Sequence, residues 1–138
     1  RQVMNRFLEE LIRTHPKATY GEMMIRDALG QGAVDSLLIS EGLRGNVVEM
    51  ECKKCGHGSD GTWEARLTRQ QELPDCPTCE ASGDSIKERQ SHSIIDTLTQ
   101  LAEDGNSEVV YISVDTEEGA QLMQGFGGIA AILRYPLM

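Results

Sequence analysis

The chain has 138 residues, 22 acidic against 13 basic, for a formal net charge of −9; 39% of its residues are hydrophobic and only 4% aromatic. That length fits one domain with room for a small insertion, and the acidic surplus excludes a protein that works mainly by gripping phosphate backbones, which takes clustered Lys and Arg. No run approaches the roughly 18 apolar residues of a membrane span, no basic and apolar leader opens the chain, and Arg1 in place of Met reads as the edge of a longer polypeptide.

The elements follow from periodicity. "RQVMNRFLEELIRTH" sets Val3, Phe7, Leu8, Leu11 and Ile12 on one stripe and predicts an amphipathic helix ended by Pro16. "YGEMMIRDALGQG" predicts a second helix, with Gly30 or Gly32 as its stop. Residues 33 to 40, "AVDSLLIS", form a short apolar run rich in β formers, and residues 46 to 52, "NVVEMEC", alternate more weakly; both are expected strands. After the cysteine-rich stretch, "EASGDSIKERQ" reads as an exit loop and "SHSIIDTLTQLAEDG" as a helix facing Ile94, Ile95, Leu98, Leu101 and Ala102 inward. Residues 107 to 114 predict a buried strand. Asp115 and Glu118 stand in capping-box spacing for a further helix, and residues 127 to 135, "GGIAAILRY", close the chain as an apolar strand. Helices alternating with apolar strands predict the α/β class, with a sheet covered on both faces.

All four cysteines lie within one stretch, Cys52 and Cys55, then Cys76 and Cys79, in the pattern C-x2-C-x20-C-x2-C. Two sulfurs at this spacing point at one ion from a tight knuckle, and two knuckles make a closed four-thiolate site. Gly56 after the first pair and Pro77 inside the second suit tight turns, and Lys53 and Lys54 offset part of the thiolate charge. Such a site has no open coordination position, so its zinc is structural and lets about thirty residues hold one shape without a large core. Two disulfides would require an oxidising compartment, rubredoxin-like iron also suits four thiolates, and His57 is a competing ligand. The loop "GTWEARLTR" is expected to form a small hairpin arm.

Other candidates for chemistry are thin. His15 is expected to cap a helix end, and His92 to open the third helix without a partner. The acidic pairs Glu9–Glu10 and Glu117–Glu118 read as solvated surface or helix-dipole partners. "GFGGIAA" lacks the strand-before, helix-after context and the Lys of a phosphate loop. No nucleophile and base set stands out, so no catalytic residue is assigned and no enzyme is expected.

"YGEMMIRDALGQGAVDSLLISEGL" and "EEGAQLMQGFGGIAAILRY" resemble the C-terminal domain of archaeal and eukaryotic class-1 peptide chain release factors, and the four-cysteine insertion resembles the zinc-bearing minidomain of the archaeal members. The resemblance implies a three-layer α/β/α sandwich with a mixed sheet, related to ribosomal proteins that bind kink-turn RNA. It would occupy residues 1–45 and 86–138, with a zinc minidomain inserted at 46–85. Family members read stop codons and trigger peptidyl-tRNA hydrolysis in other domains, through Asn-Ile-Lys-Ser and Gly-Gly-Gln motifs that this chain does not contain. The resemblance implies a cytoplasmic, non-enzymatic domain that docks a translational GTPase and helps engage the ABC-type ATPase that recycles ribosomes. Carried onto matching positions, the family's GTPase-binding region nominates Phe126, Gly127, Gly128, Ile129, Leu133, Arg134 and Tyr135. A Pelota-type rescue factor domain and a stand-alone RNA-binding module are the competing readings; the charge of −9 weighs against strong independent nucleic-acid binding.

Overall fold

The computed structural model describes residues 2–67 and 73–137. Its elements run α1 (Gln2–Leu11), β1 (Ala18–Tyr20), α2 (Glu22–Gly30), β2 (Val34–Ser40), β3 (Asn46–Cys52), β4 (Glu64–Leu67), β5 (Ile86–Ser93), α3 (Ile94–Asp104), β6 (Glu108–Ile112), α4 (Glu117–Phe126) and β7 (Ile129–Leu133). They form two compact units, one built from the chain up to Leu43 and from Leu98 onward, the other from Arg44–Thr97.

The first unit is a mixed α/β structure. Its four strands lie in the order β1-β7-β2-β6. β7 pairs antiparallel with both β1 and β2, whereas β2 and β6 are parallel. A parallel pair needs a long crossover between its strands, and here the crossover contains the second unit and α3. All five residues of β7 are buried, so both faces of this central strand are covered. Met4 and Phe7 of α1 and Leu122 of α4 pack with Leu38, Ala130 and Ile132 on one face. Alternation along the strands turns Leu37 and Ala131 to the other side of the sheet, and both are fully buried. Phe126 meets Phe7 and Tyr20 edge to face, with ring centroids 5.1 and 5.0 Å apart; this geometry adds to plain area burial.

The second unit is a three-stranded antiparallel sheet, β4-β3-β5. Val48, Met50, Cys52, Cys76, Ala81 and Ile86 form its core, with Trp63, Ala65, Leu67 and Leu73 packed at the margin.

Several expectations are corrected. α1 stops at Leu11, before Pro16 can act, so Ile12 leaves the stripe and stands 86% exposed. His15 therefore caps no helix end. Tyr20, expected to open the second helix, instead ends the strand Ala18–Tyr20, whose three residues are too few to show a period. The stretch taken as an exit loop is irregular only to Ser85; from Ile86 it is the long strand β5, and His92 sits opposite Val47 within it rather than opening α3. Because Ile86–Ser93 pairs with β3, the second unit extends past the 46–85 expected for the insertion. The expected hairpin arm is realised as β4 paired with β3; Thr68 and Arg69 lie outside the described residues. α4 is capped by Thr116, not Asp115: Thr116 Oγ1 accepts from Gly119 N at 3.0 Å.

Candidate metal centre

β3 ends at Cys52 and delivers it, 1% exposed, into the core of the second unit. The chain then folds into a knuckle. Gly56 N donates to Cys52 O and Cys52 N donates to His57 O, both at 2.9 Å. The second knuckle repeats this pattern atom for atom. Glu80 N donates to Cys76 O at 3.0 Å and Cys76 N to Ala81 O at 2.9 Å. The fourth residue after each leading cysteine is left-handed, Gly56 at φ 79° and Glu80 at φ 61°. Each knuckle buries its first cysteine and exposes its second.

The two knuckles face each other. Cys52 Sγ lies 3.6 Å from Cys79 Sγ, Cys55 Sγ 3.5 Å from Cys76 Sγ, and all four sulfurs fall within 4.8 Å of one another. Four sulfurs placed tetrahedrally about 2.3 Å from one ion stand about 3.8 Å apart. The set therefore fits a single four-coordinate ion, and all four cysteines are free thiols.

The local electrostatics favour anionic sulfur at two positions. The backbone N–H of Cys55, helped by that of Lys54 and by Cys79, draws the Cys52 thiol down to about 6 despite its burial. Burial opposes ionisation of Cys76, but the N–H groups of Cys79 and Thr78 and the neighbouring thiols still lower it. For Cys55, the N–H of His57 works downward, yet burial and the surrounding thiols push it up to about 12. Cys79 is likewise raised: the N–H of Ala81 works downward, but burial and the thiols of Cys52 and Cys76 outweigh it. Four thiols this close share protons, and an ion displaces those that remain.

Support comes from residues that spacing alone did not reveal. His57 does not turn to the sulfurs as a competing ligand; its Nδ1 lies 3.1 Å from Thr78 Oγ1 and its ring packs on Trp63, so it ties one knuckle to the other. A bulge in β5 sets Arg89 out of register, and its guanidinium donates to the carbonyls of Ser59 at 2.7 Å and Gly58 at 3.3 Å, just beyond the first knuckle. A bulge re-aims a side chain in this way.

The closing motif lies in the first unit, and its residues have different fates. Phe126 is packed between rings, and Ile129 and Leu133 are buried strand residues. Gly127 ends α4 at φ 71°, and the N–H of Gly128 returns to Leu122 O at 3.0 Å. Gly128 is buried, and a Cβ there would meet Met123 Sδ at 2.9 Å. Arg134 is exposed but forms a latch across the surface: it donates to Gly32 O at 3.0 Å, Gly105 O at 3.1 Å and Asn106 O at 2.9 Å, carbonyls just beyond the ends of α2 and α3. Tyr135 and Gly127 are exposed as well. Among the described residues, no helix is long and apolar enough to cross a membrane.

The chain is thus a mixed α/β unit with a four-cysteine unit inserted in its sequence. The model of the eRF1 domain 3 family matches residues 1–137, and the chain belongs to that family. It is 40% identical over 135 residues to peptide chain release factor subunit 1 of Methanobrevibacter smithii, covering 98% of this chain and 32% of that protein. It is likewise 40% identical over 129 residues to peptide chain release factor subunit 1-1 of Methanosarcina acetivorans, covering 94% and 31%. The chain thus spans about a third of the length of these relatives. The solved C-terminal domain of the peptide chain release factor from Methanosarcina mazei superposes with a TM-score of 0.78 at 39% identity, over 97% of this chain and 80% of that one. The likeness to Saccharomyces cerevisiae Dom34, described as a termination-like factor interacting with Hbs1, has a TM-score of 0.59 at 22% identity over 99% and 27% of the chains, and shows the shared fold.

Proposed function

We propose that this chain is the C-terminal docking domain of a class-1 peptide chain release factor, with a structural zinc ion held by Cys52, Cys55, Cys76 and Cys79. The observation that carries the reading is the family match over residues 1–137. The M. mazei C-terminal domain, similar in sequence and in fold, supports it. The domain performs no chemistry of its own; stop-codon reading and peptidyl-tRNA hydrolysis belong to the remaining two thirds of the factor, and the setting is the cytoplasm. Bound zinc supplies cross-linking: it joins the two knuckles and replaces the large core that so short a segment lacks.

The partner is a translational GTPase, with the ABC-type recycling ATPase following it on the ribosome. The docking surface is the part of the closing segment that is exposed and, among the described residues, has no side chain engaged in an intramolecular hydrogen bond, Gly127 and Tyr135, presented by a rigid frame. Phe126, Gly128, Ile129, Leu133 and Arg134 build that frame, since their side chains or backbone are engaged within the first unit. Aromatic side chains such as Tyr135 are enriched at binding interfaces. A binding titration of the chain against an archaeal aminoacyl-tRNA-delivering elongation factor in its GTP form tests this. Saturable binding that Tyr135→Ala weakens is expected, and no binding overturns the docking role. In the competing reading the chain is an RNA-binding module. Filter binding to structured RNA at two salt concentrations separates the two, since phosphate contacts make affinity fall steeply with salt; weak, flat binding is expected.

A further inference from the structure

We propose that the four-cysteine centre is an oxidant-sensing modification site, in which a hydroperoxide converts the pairs Cys52–Cys79 and Cys55–Cys76 into disulfides that replace the ion as the link between the knuckles. Resting on the zinc reading above, this gives the centre a second, metal-free state. Exposure separates the four sulfurs into two kinds. Cys55 and Cys79 are exposed, whereas Cys52 and Cys76 are 1% and 2% exposed. A thiolate is a nucleophile as well as a metal ligand, and access decides which thiolate a small oxidant reaches. Cys76 Sγ also accepts from the N–H groups of Thr78 at 3.4 Å and Cys79 at 3.5 Å, which draws charge from the sulfur and lowers its nucleophilicity. The points of attack are therefore Cys55 and Cys79.

Each exposed sulfur faces a buried one of the other knuckle. Cys79 Sγ lies 3.6 Å from Cys52 Sγ, and Cys55 Sγ lies 3.5 Å from Cys76 Sγ. A disulfide bond is about 2.05 Å long, so an approach of about 1.5 Å closes either pair. The ion is not alone in holding the knuckles opposite each other: His57 Nδ1 and Thr78 Oγ1 meet across them at 3.1 Å, and Cys52 is fixed in β3 by its pairing with Ile86. Such proximity makes the closing of each disulfide an intramolecular step. A second sulfur at this distance also separates a reversible redox site from one that runs on to irreversible sulfur acids.

With hydrogen peroxide as the oxidant the step balances. The Cys79 thiolate attacks one peroxide oxygen: an S–O bond forms, the O–O bond breaks, and the departing hydroxide takes a proton from solvent and leaves as water. The Cys52 thiolate then attacks the Cys79 sulfur: the S–S bond forms, the S–O bond breaks, and that oxygen leaves with a second solvent proton as another water. Two thiolates have lost two electrons and one peroxide has gained them. Cys55 and Cys76 consume a second peroxide in the same way. No thiolate then remains to hold an ion, and two covalent links, between residues 27 and 21 apart in the chain, stand in its place. Permanent disulfides need an oxidising compartment, but a pair made by a burst of peroxide and undone by thiol exchange is compatible with a reducing one.

The test treats the intact, zinc-loaded chain with hydrogen peroxide at neutral pH, beside an untreated control. Metal release is read with a chromogenic chelator, free thiols by alkylation, and linkages by peptide mapping without reduction. One zinc ion per chain should be released as the four free thiols fall to none, with Cys52–Cys79 and Cys55–Cys76 as the linkages. Dimedone added with the peroxide should label Cys55 and Cys79 and spare Cys52 and Cys76. Hydrogen-exchange protection in β3 should survive oxidation, and dithiothreitol with zinc should restore the loaded form. Zinc retained under peroxide, labelling of Cys52 or Cys76, linkages within one knuckle, loss of β3 protection, or sulfinic acid without disulfide would overturn the proposal and leave the zinc reading standing. A chain that carries no zinc before treatment would overturn the zinc reading and the proposal with it.

Discussion

Glu80 holds the position in the second knuckle that Gly56 holds in the first, and it takes the same left-handed backbone with a side chain attached. That conformation costs an L-residue about 1–2 kcal/mol, partly balanced by glycine's greater freedom when unfolded. Glu80→Gly is expected to stabilise the metal-loaded domain by about 0.5–1 kcal/mol, read by urea denaturation; an unchanged or lower midpoint would count against the equivalence of the knuckles. Arg134 makes the opposite case. Three charge-assisted hydrogen bonds to carbonyls at the ends of two helices give it a structural task. Arg134→Met should lower stability by about 1–2 kcal/mol, and Lys should not restore it, because an ammonium lacks the flat fork that reaches three fixed oxygens. If the variant keeps full stability and loses only partner binding, Arg134 belongs to the interface instead.

Among the elements, β5 separates what sequence reveals from what it hides. Lys87 to His92 are exposed on both faces, so no alternation marks the strand, and only its pairing with β3 defines it. β3 and β7 were legible for the opposite reason: burial wrote an apolar pattern into them. The cysteine knuckles were legible because ligand spacing is itself the signal, whereas the link from His57 to Thr78 and the bulged Arg89 depend on tertiary register and leave no local mark. Because the second unit has a small core built around Cys52 and Cys76, chelation should erase hydrogen-exchange protection in β3 to β5 while β2 and β7 keep theirs. Retained protection in β3 after metal removal would mean that the metal does not hold the minidomain. The affinity for metal should also rise with pH. Without an ion, Cys55 and Cys79 keep their protons near neutrality, since both are raised, while Cys52, drawn to about 6, does not. Binding near pH 7 then expels at least the two protons of Cys55 and Cys79, and affinity rises at least about a hundredfold per pH unit. The dependence steepens below pH 6, where Cys52 also protonates. Calorimetry in buffers of different ionisation enthalpy measures that release; a value near zero would contradict the shared-proton state.

At the scale of the whole molecule, the chain is a mixed α/β unit of the eRF1 domain 3 family with a four-cysteine unit set between β2 and β6. The family was legible in the closing "GFGGIAAILRY", but which of those residues face solvent was not. Phe126, Ile129 and Leu133 are nominated for binding by the family resemblance alone, and in three dimensions all three are packed within the first unit. The account rests on one ion joining the two knuckles. Native mass spectrometry of the intact chain measures this directly. A folded charge-state envelope carrying the mass of one zinc ion per chain, lost together with that envelope on acidification, is the predicted result. A compact, metal-free chain whose four thiols all react freely with an alkylating agent would contradict it.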